Sequence, residues 1–119
     1  MRNFCAAVLA AAFLPFAAHA LEGDAGRGAK VYERCGACHS PDADRVGPRH
    51  RGVVGRRAGS IDGFPYSAAL KRSGVIWDEA SLEKWLTDPQ AFIPGQRMGF
   101  RLGDAQERAD VIAYLKTLR

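Results

Sequence analysis

Groups able to bind a soft metal or act as nucleophiles are scarce in this chain, which has three cysteines, three histidines and two methionines. Two of the cysteines lie so close together that a disulfide between them would close only a tiny loop and stabilise little, which excludes a disulfide framework. No apolar run comfortably reaches the roughly 20 residues of a membrane-spanning helix. Nor does any segment show sustained strand alternation, and there is no internal repeat, low-complexity tract or sign of a second domain. A strong excess of one charge is also missing: 17 Lys and Arg oppose 13 Asp and Glu, a formal +4. So mild a balance favours steering toward an acidic protein patch over wrapping of a polyanion. Nucleic acid is therefore not an expected partner.

What is present begins with an unusual N-terminus. Arg2 is the only charged residue before Glu22, an apolar run extends from Phe4 to Ala18, and Ala18-His19-Ala20 puts small residues at the −3 and −1 places of a cleavage site. This pattern predicts a secretory signal peptide over 1–20, removed after Ala20, and one domain over 21–119. Pro15 and the shortness of the run speak against a retained anchor, and Cys5 at the start of the run is misplaced for a lipidated N-terminus. The expected product is exported to the periplasm, monomeric, with no stable membrane insertion. Without the leader, the sulfur and imidazole groups reduce to Cys35, Cys38, His39, His50 and Met98. A domain of about 100 residues is small for a self-sufficient core, and a large buried cofactor would supply the missing packing.

The local pattern is helical at both ends. "GDAGRGAKVYERCGAC" predicts a helix that starts at an Asp24 N-cap and ends at the thiols, with Ala25, Gly28, Tyr32 and Cys35 on one face. Gly28 inside a helix costs up to about 1 kcal/mol relative to alanine, and a close approach by another helix would compensate. Residues 40–65 are aperiodic and rich in Gly, Pro and Arg, which predicts loop and turns. Short helices are expected in "YSAALKRSG", ending at Gly74, and in "WDEASLEKWLTDP", capped by Asp78 and stopped by Asp88-Pro89. "PQAFIPG" predicts one further turn. In "DAQERADVIAYLKTLR" Asp104 and Glu107 suggest a capping box, and Val111, Tyr114, Leu115 and Leu118 form a stripe. The two terminal helices are expected to cross.

"CGACHS", Cys35 to Ser40, carries the chemistry. C-x-x-C-H is the haem-attachment pattern: both thiols add to the haem vinyl groups and the adjacent histidine, His39, becomes an axial ligand. A redox dithiol normally comes with alternating strands and helices, and none are visible. A zinc site could draw only on Cys35, Cys38, His39 and His50, which fits no usual spacing. For a sixth iron ligand the domain offers Met98, its only thioether, in "FIPGQRMGF", where Pro94-Gly95 force a turn. His50 is the rival, but it follows His39 too closely to reach the far face of the ring easily.

Taken together, these segments resemble a class I c-type cytochrome, of the kind shared by mitochondria and many bacteria. The likeness covers essentially all of Gly23 to Leu118 and rests on "GDAGRGAKVYERCGACH", "VGP…GVVGRRAG", "GFPYSAALKRSGVIWDEASLEKWLTDPQAFIPGQRM" and "RADVIAYLK". It implies an all-α class I cytochrome c fold: crossing N- and C-terminal helices, with short helices and loops wrapped around one covalently bound haem c. It also implies that Cys35 and Cys38 hold the haem, that His39 and Met98 ligate its iron, and that the carbonyl of Pro48 orients the His39 ring. Arg56, Tyr66 and Trp77 match positions that hold or neutralise a buried propionate. Gly28, Tyr32 and Tyr114 match the helix crossing.

Several residues depart from the mitochondrial form of that pattern. Trp85 stands where a tyrosine commonly donates toward the methionine sulfur, Leu70 replaces a usual asparagine, Gln96 a usual threonine, and His50 a usual leucine. Among the basic residues near the expected haem edge, Arg34 and Arg97 remain, while Gln90 and Ala91 occupy places often basic. The function implied is one-electron transfer in a respiratory or dehydrogenase-linked chain, without enzymatic activity, to transient redox partners: an oxidase, a reductase complex or a periplasmic dehydrogenase. The alternatives are a haem peroxidase or gas-ligand binder with a labile sixth site, and a dedicated subunit of a periplasmic dehydrogenase.

Overall fold

The computed structural model describes residues 21–119 together with Ala12, Leu14 and Pro15. Apart from those three residues, the expected signal peptide lies outside the described residues, as do its cleavage site and Cys5. Among the described residues five α-helices follow one another: α1 (Ala25–Tyr32), α2 (Ala68–Arg72), α3 (Glu79–Thr87), α4 (Pro89–Phe92) and α5 (Ala105–Thr117). A 3₁₀ segment, Glu33–Ala37, continues α1. Among the described residues there is no strand, only an isolated antiparallel bridge between Arg57 and Ile76.

Each helix begins where a short polar side chain can satisfy its open N–H groups. Asp24 accepts from the Arg27 N–H at 2.7 Å, Ser67 from Leu70, and Asp88 from Ala91, with Pro89 in the first turn of α4. At α3 the box is complete: the Ser81 N–H donates to Asp78 and the Asp78 N–H to the Ser81 hydroxyl, each at 2.8 Å. At α5 only half of the expected box forms. Asp104 accepts from the Glu107 N–H, but the Glu107 carboxylate turns away to meet Arg34 at 2.6 Å.

The crossing of α1 and α5 organises the rest. A Cβ on Gly28 would lie 1.9 Å from the Asp110 carbonyl oxygen, and one on Gly23 would lie 2.0 Å from that of Ala109. The glycines thus let two backbones touch, which at Gly28, inside α1, is the compensation its low helix propensity requires. Val31 and Tyr32 from α1 join Val111, Ile112 and Leu115 from α5 in a core that also takes Trp77, Leu82, Leu86, Ile93 and Leu102. Ile112 lies outside the expected stripe yet is buried, because α3 packs on α5 as well.

Among the described residues Asp110, 3% exposed, is the one buried charged group. Its carboxylate accepts from the Asp24 N–H at 2.8 Å, from Arg27 Nε and Nη2 at 2.8 and 3.0 Å, and from Gln106 at 3.0 Å. The Arg27 guanidinium, followed by the Asp24 N–H, holds its carboxyl well below the usual carboxylate range. A buried charge so fully bonded fixes the start of α1 against α5.

The loop between the 3₁₀ segment and α2 is pinned from two sides. Gly55 N–H donates to the Trp77 carbonyl, Trp77 N–H to Arg56, and Ala58 N–H to Val75, while Gly52 N–H donates to Leu118 beyond α5. Gly59, at φ +72, packs its α-carbon against Lys71 where a Cβ would lie 2.9 Å away. Main-chain bonds of this kind shape an aperiodic segment without a sheet.

Candidate cofactor site

The helix carrying the thiols tightens before it reaches them. Helix α1 ends at Tyr32, Cys35 lies in the 3₁₀ segment and Cys38 is the residue that follows it, so the expected continuous α-helix through Cys38 is not formed. The Cys35 carbonyl accepts from both Cys38 and His39 N–H groups, at 3.1 and 2.8 Å. That bifurcated bond curls the chain so that both thiols and the next imidazole line one cavity.

This cavity measures about 480 Å³, within the range of cofactor sites, about 300–1,000 Å³. Every site residue expected from the sequence lines it: Cys35, Cys38, His39, Pro48, Arg56, Tyr66, Trp77, Trp85 and Met98. Much of the remaining wall is apolar, including Val53, Leu70, Leu82, Leu86, Val111 and Leu115. Leu82 and Leu86 were not distinguishable in the sequence from ordinary core, since their spacing on α3 is that of any buried stripe. Gly47 was also missed: a Cβ there would lie 2.2 Å from His39 Cε1, so only a bare backbone lets the ring sit where it does.

His39 is held in one tautomer. Its Nδ1 lies 2.7 Å from the Pro48 carbonyl oxygen, and since a carbonyl can only accept, Nδ1 carries the proton and Nε2 keeps the lone pair. Burial lowers the pKa of this imidazole, opposed by the bond to Pro48, so the ring is a neutral donor at neutral pH. His50 stacks on it, with ring centroids 4.1 Å apart and planes inclined by 19°. A hydrogen bond of 2.9 Å joins His50 Nδ1 to the Tyr32 hydroxyl. Burial, then the neighbouring His39 and Arg56, push the His50 pKa down to about 3. The rival ligand therefore lies against His39 itself.

The thiols and the cation of the site separate the remaining chemistries. Burial pushes the Cys35 thiol up, whereas a redox dithiol needs a low-pKa thiolate. Among the described residues no group of three or more His, Cys, Asp and Glu side chains is placed to hold a metal ion. The Arg56 guanidinium donates to the carbonyls of Arg49 and Arg51 at 2.8 and 2.5 Å, and no carboxylate pairs with it among the described residues. Burial lowers its pKa. A half-buried, uncompensated cation on a cavity wall suits an anionic group of a bound cofactor.

Thiols one short turn apart, an adjacent imidazole donor, a thioether and an unpaired guanidinium around an apolar slot define a small helical haem protein whose cofactor is attached through Cys35 and Cys38. The family model for cytochrome c matches residues 25–119. Cytochrome c2 of Rhodomicrobium vannielii is 45% identical over 98% of this chain and 97% of its own, and cytochrome c2 of Blastochloris viridis is 44% identical over 92% and 86%. Among solved structures, cytochrome cH from Methylobacterium extorquens superposes with a TM-score of 0.77 at 47% identity, over 80% of this chain and 99% of its own. The chain belongs to the cytochrome c family. It carries a single covalently attached haem c, Cys35, Cys38 and His39 supply the C-x-x-C-H motif, and electron transfer is its function.

Proposed function

We propose that this cytochrome is a soluble periplasmic one-electron carrier in a respiratory or dehydrogenase-linked chain, exported by a signal peptide over 1–20 and ligating its iron through His39 and Met98. When bound, the haem iron supplies the ferrous/ferric couple. The observation that carries the reading is that one fixed imidazole donor and the domain's only thioether line the same cavity. A soft neutral thioether favours ferrous over ferric iron and raises the potential.

The protein's part is to hold its groups still. Pro48, Gly47 and His50 fix the His39 ring, and Gln96 hydrogen-bonds the Met98 backbone. Ligands fixed in advance need little rearrangement when the charge changes, which keeps electron exchange fast. Arg56, Tyr66 and Trp77 are assigned to the propionates, and Trp85, with its ring centroid 5.2 Å from that of Trp77, to the wall beside the distal ligand.

Val46, 79% exposed, and Phe100, 38% exposed, lie at the cavity's edge. Arg34 is tied to Glu107 and Arg97 to the Pro65 carbonyl. An apolar lip with few tethered cations fits brief docking to redox partners better than permanent assembly or substrate binding. The test is the ferric spectrum. A weak red band from methionine ligation is expected in the wild type and absent in Met98→Ala, and rapid carbon monoxide binding by the reduced wild type would overturn the carrier reading.

A further inference from the structure

Met98 sits outside any helix, in the stretch between α4 and α5. Among the described residues its N–H and C=O meet no main-chain partner. Both go to one side chain instead: Gln96 Nε2 donates to the Met98 carbonyl at 2.7 Å, and the Met98 N–H donates to Gln96 Oε1 at 2.5 Å. A primary amide can serve the two main-chain groups of one residue in this way, acceptor to its N–H and donor to its C=O. Gln96 is 4% exposed, and its own N–H is anchored on the Ile93 carbonyl at the end of α4. The amide is thus a buried clasp whose nitrogen and oxygen are both engaged, rather than a surface group that happens to lie near.

We propose that Gln96 is the positioning residue of the distal side: its amide closes on the Met98 peptide and sets how readily the thioether leaves the iron. The inference rests on the assignment of Met98 as the distal ligand. With the N–H and C=O on either side of the Met98 α-carbon both held by one side chain, the half-buried residue has one favoured orientation, whereas without the amide both groups gain by turning toward water. Nothing else in the described structure bonds these two groups, so the clasp and the closed state rise and fall together.

The experiment uses the haem-loaded ferric protein. Imidazole is titrated into wild type, Gln96→Glu and Gln96→Leu, with the red band as the signal, while amide hydrogen exchange at Met98 is measured in parallel. Glutamate keeps the acceptor for the Met98 N–H and, when ionised, loses the donor to its carbonyl; leucine loses both. Two hydrogen bonds of ordinary net strength correspond to about a ten- to thirtyfold change. Gln96→Leu is therefore expected to bind imidazole about tenfold more tightly and to exchange the Met98 amide about tenfold faster, with Gln96→Glu between. Far-UV circular dichroism checks folding, and Gln96→Glu carries the test if the leucine variant does not fold. Wild-type imidazole affinity in both folded variants, with a red band that Met98→Ala abolishes, overturns the inference and leaves the ligand assignment standing. A wild type without that band overturns both.

Discussion

A methyl group added at Gly28 tests the closest contact in the fold. The new Cβ would stand 1.9 Å from the Asp110 carbonyl oxygen, 2.5 Å from its carbon and 2.9 Å from Tyr114 Cβ. Two of these atoms are α5 backbone, so no side-chain rotation relieves the clash and the helices must part by about 1 Å. A gap of that size forfeits a quarter to a half of each dispersion contact across it, and the contacts at stake include Val31, Tyr32, Val111 and Ile112. Overpacking of this kind costs about 1–3 kcal/mol and occasionally more. Because the methyl group is opposed by backbone, the upper end applies, offset by up to about 1 kcal/mol of helix propensity gained over glycine. Gly28→Ala is expected to lose about 2 kcal/mol, a fall in Tm of about 8–16 °C for a domain of this size. Urea denaturation of the oxidised holoprotein measures it, with Gly36→Ala as control, since no atom lies within 4 Å of a Cβ there. A Gly28→Ala variant as stable as the wild type would refute the claim that glycine is present for backbone contact.

Two other perturbations address polar groups of the core and of the site. The Asp110 carboxyl is held below its ordinary pKa, chiefly by Arg27; its stabilisation is therefore fully present above about pH 4 and is lost as pH falls through the lowered folded-state value. The stability gap between wild type and Asp110→Asn should narrow as pH is lowered from 7 toward 2, and a pH-independent gap would contradict the assignment. Tyr32→Phe strands the Nδ1 of His50, for a cost of about 1–3 kcal/mol, whereas adding His50→Leu removes the stranded group and should restore part of that loss. Strict additivity of the two changes in urea denaturation would show that the 2.9 Å contact is not a functioning hydrogen bond.

The parts of the molecule legible from the sequence are those whose cause lies within one turn of chain. Asp24, Asp78 and Asp104 cap helices because side chain and open N–H are near neighbours along the chain. Cys35, Cys38 and His39 bring their groups to one macrocycle for the same reason, since the spacing is built into the chain. A glycine in an amphipathic helix announces a close neighbour, although not which atom it will meet.

What the tertiary structure alone decided depends on which faces meet. Glu107 has the spacing of a capping box, yet Arg34, brought across by the helix crossing, takes its carboxylate. Asp110 looks in sequence like any solvated acid on a terminal helix, and only the approach of Asp24 and Arg27 makes it a buried anchor. His50 read in sequence as a weaker rival of Met98 for the iron; its stacking on His39 follows from the loop bonds that set the chain's direction after Pro48. Local geometry is fixed by covalent distance and is present in every conformation of the chain. The partners of Asp110, His50 and Glu107 exist only once burial of the apolar stripes has chosen one packing, so no reading of the residues in order could have supplied them.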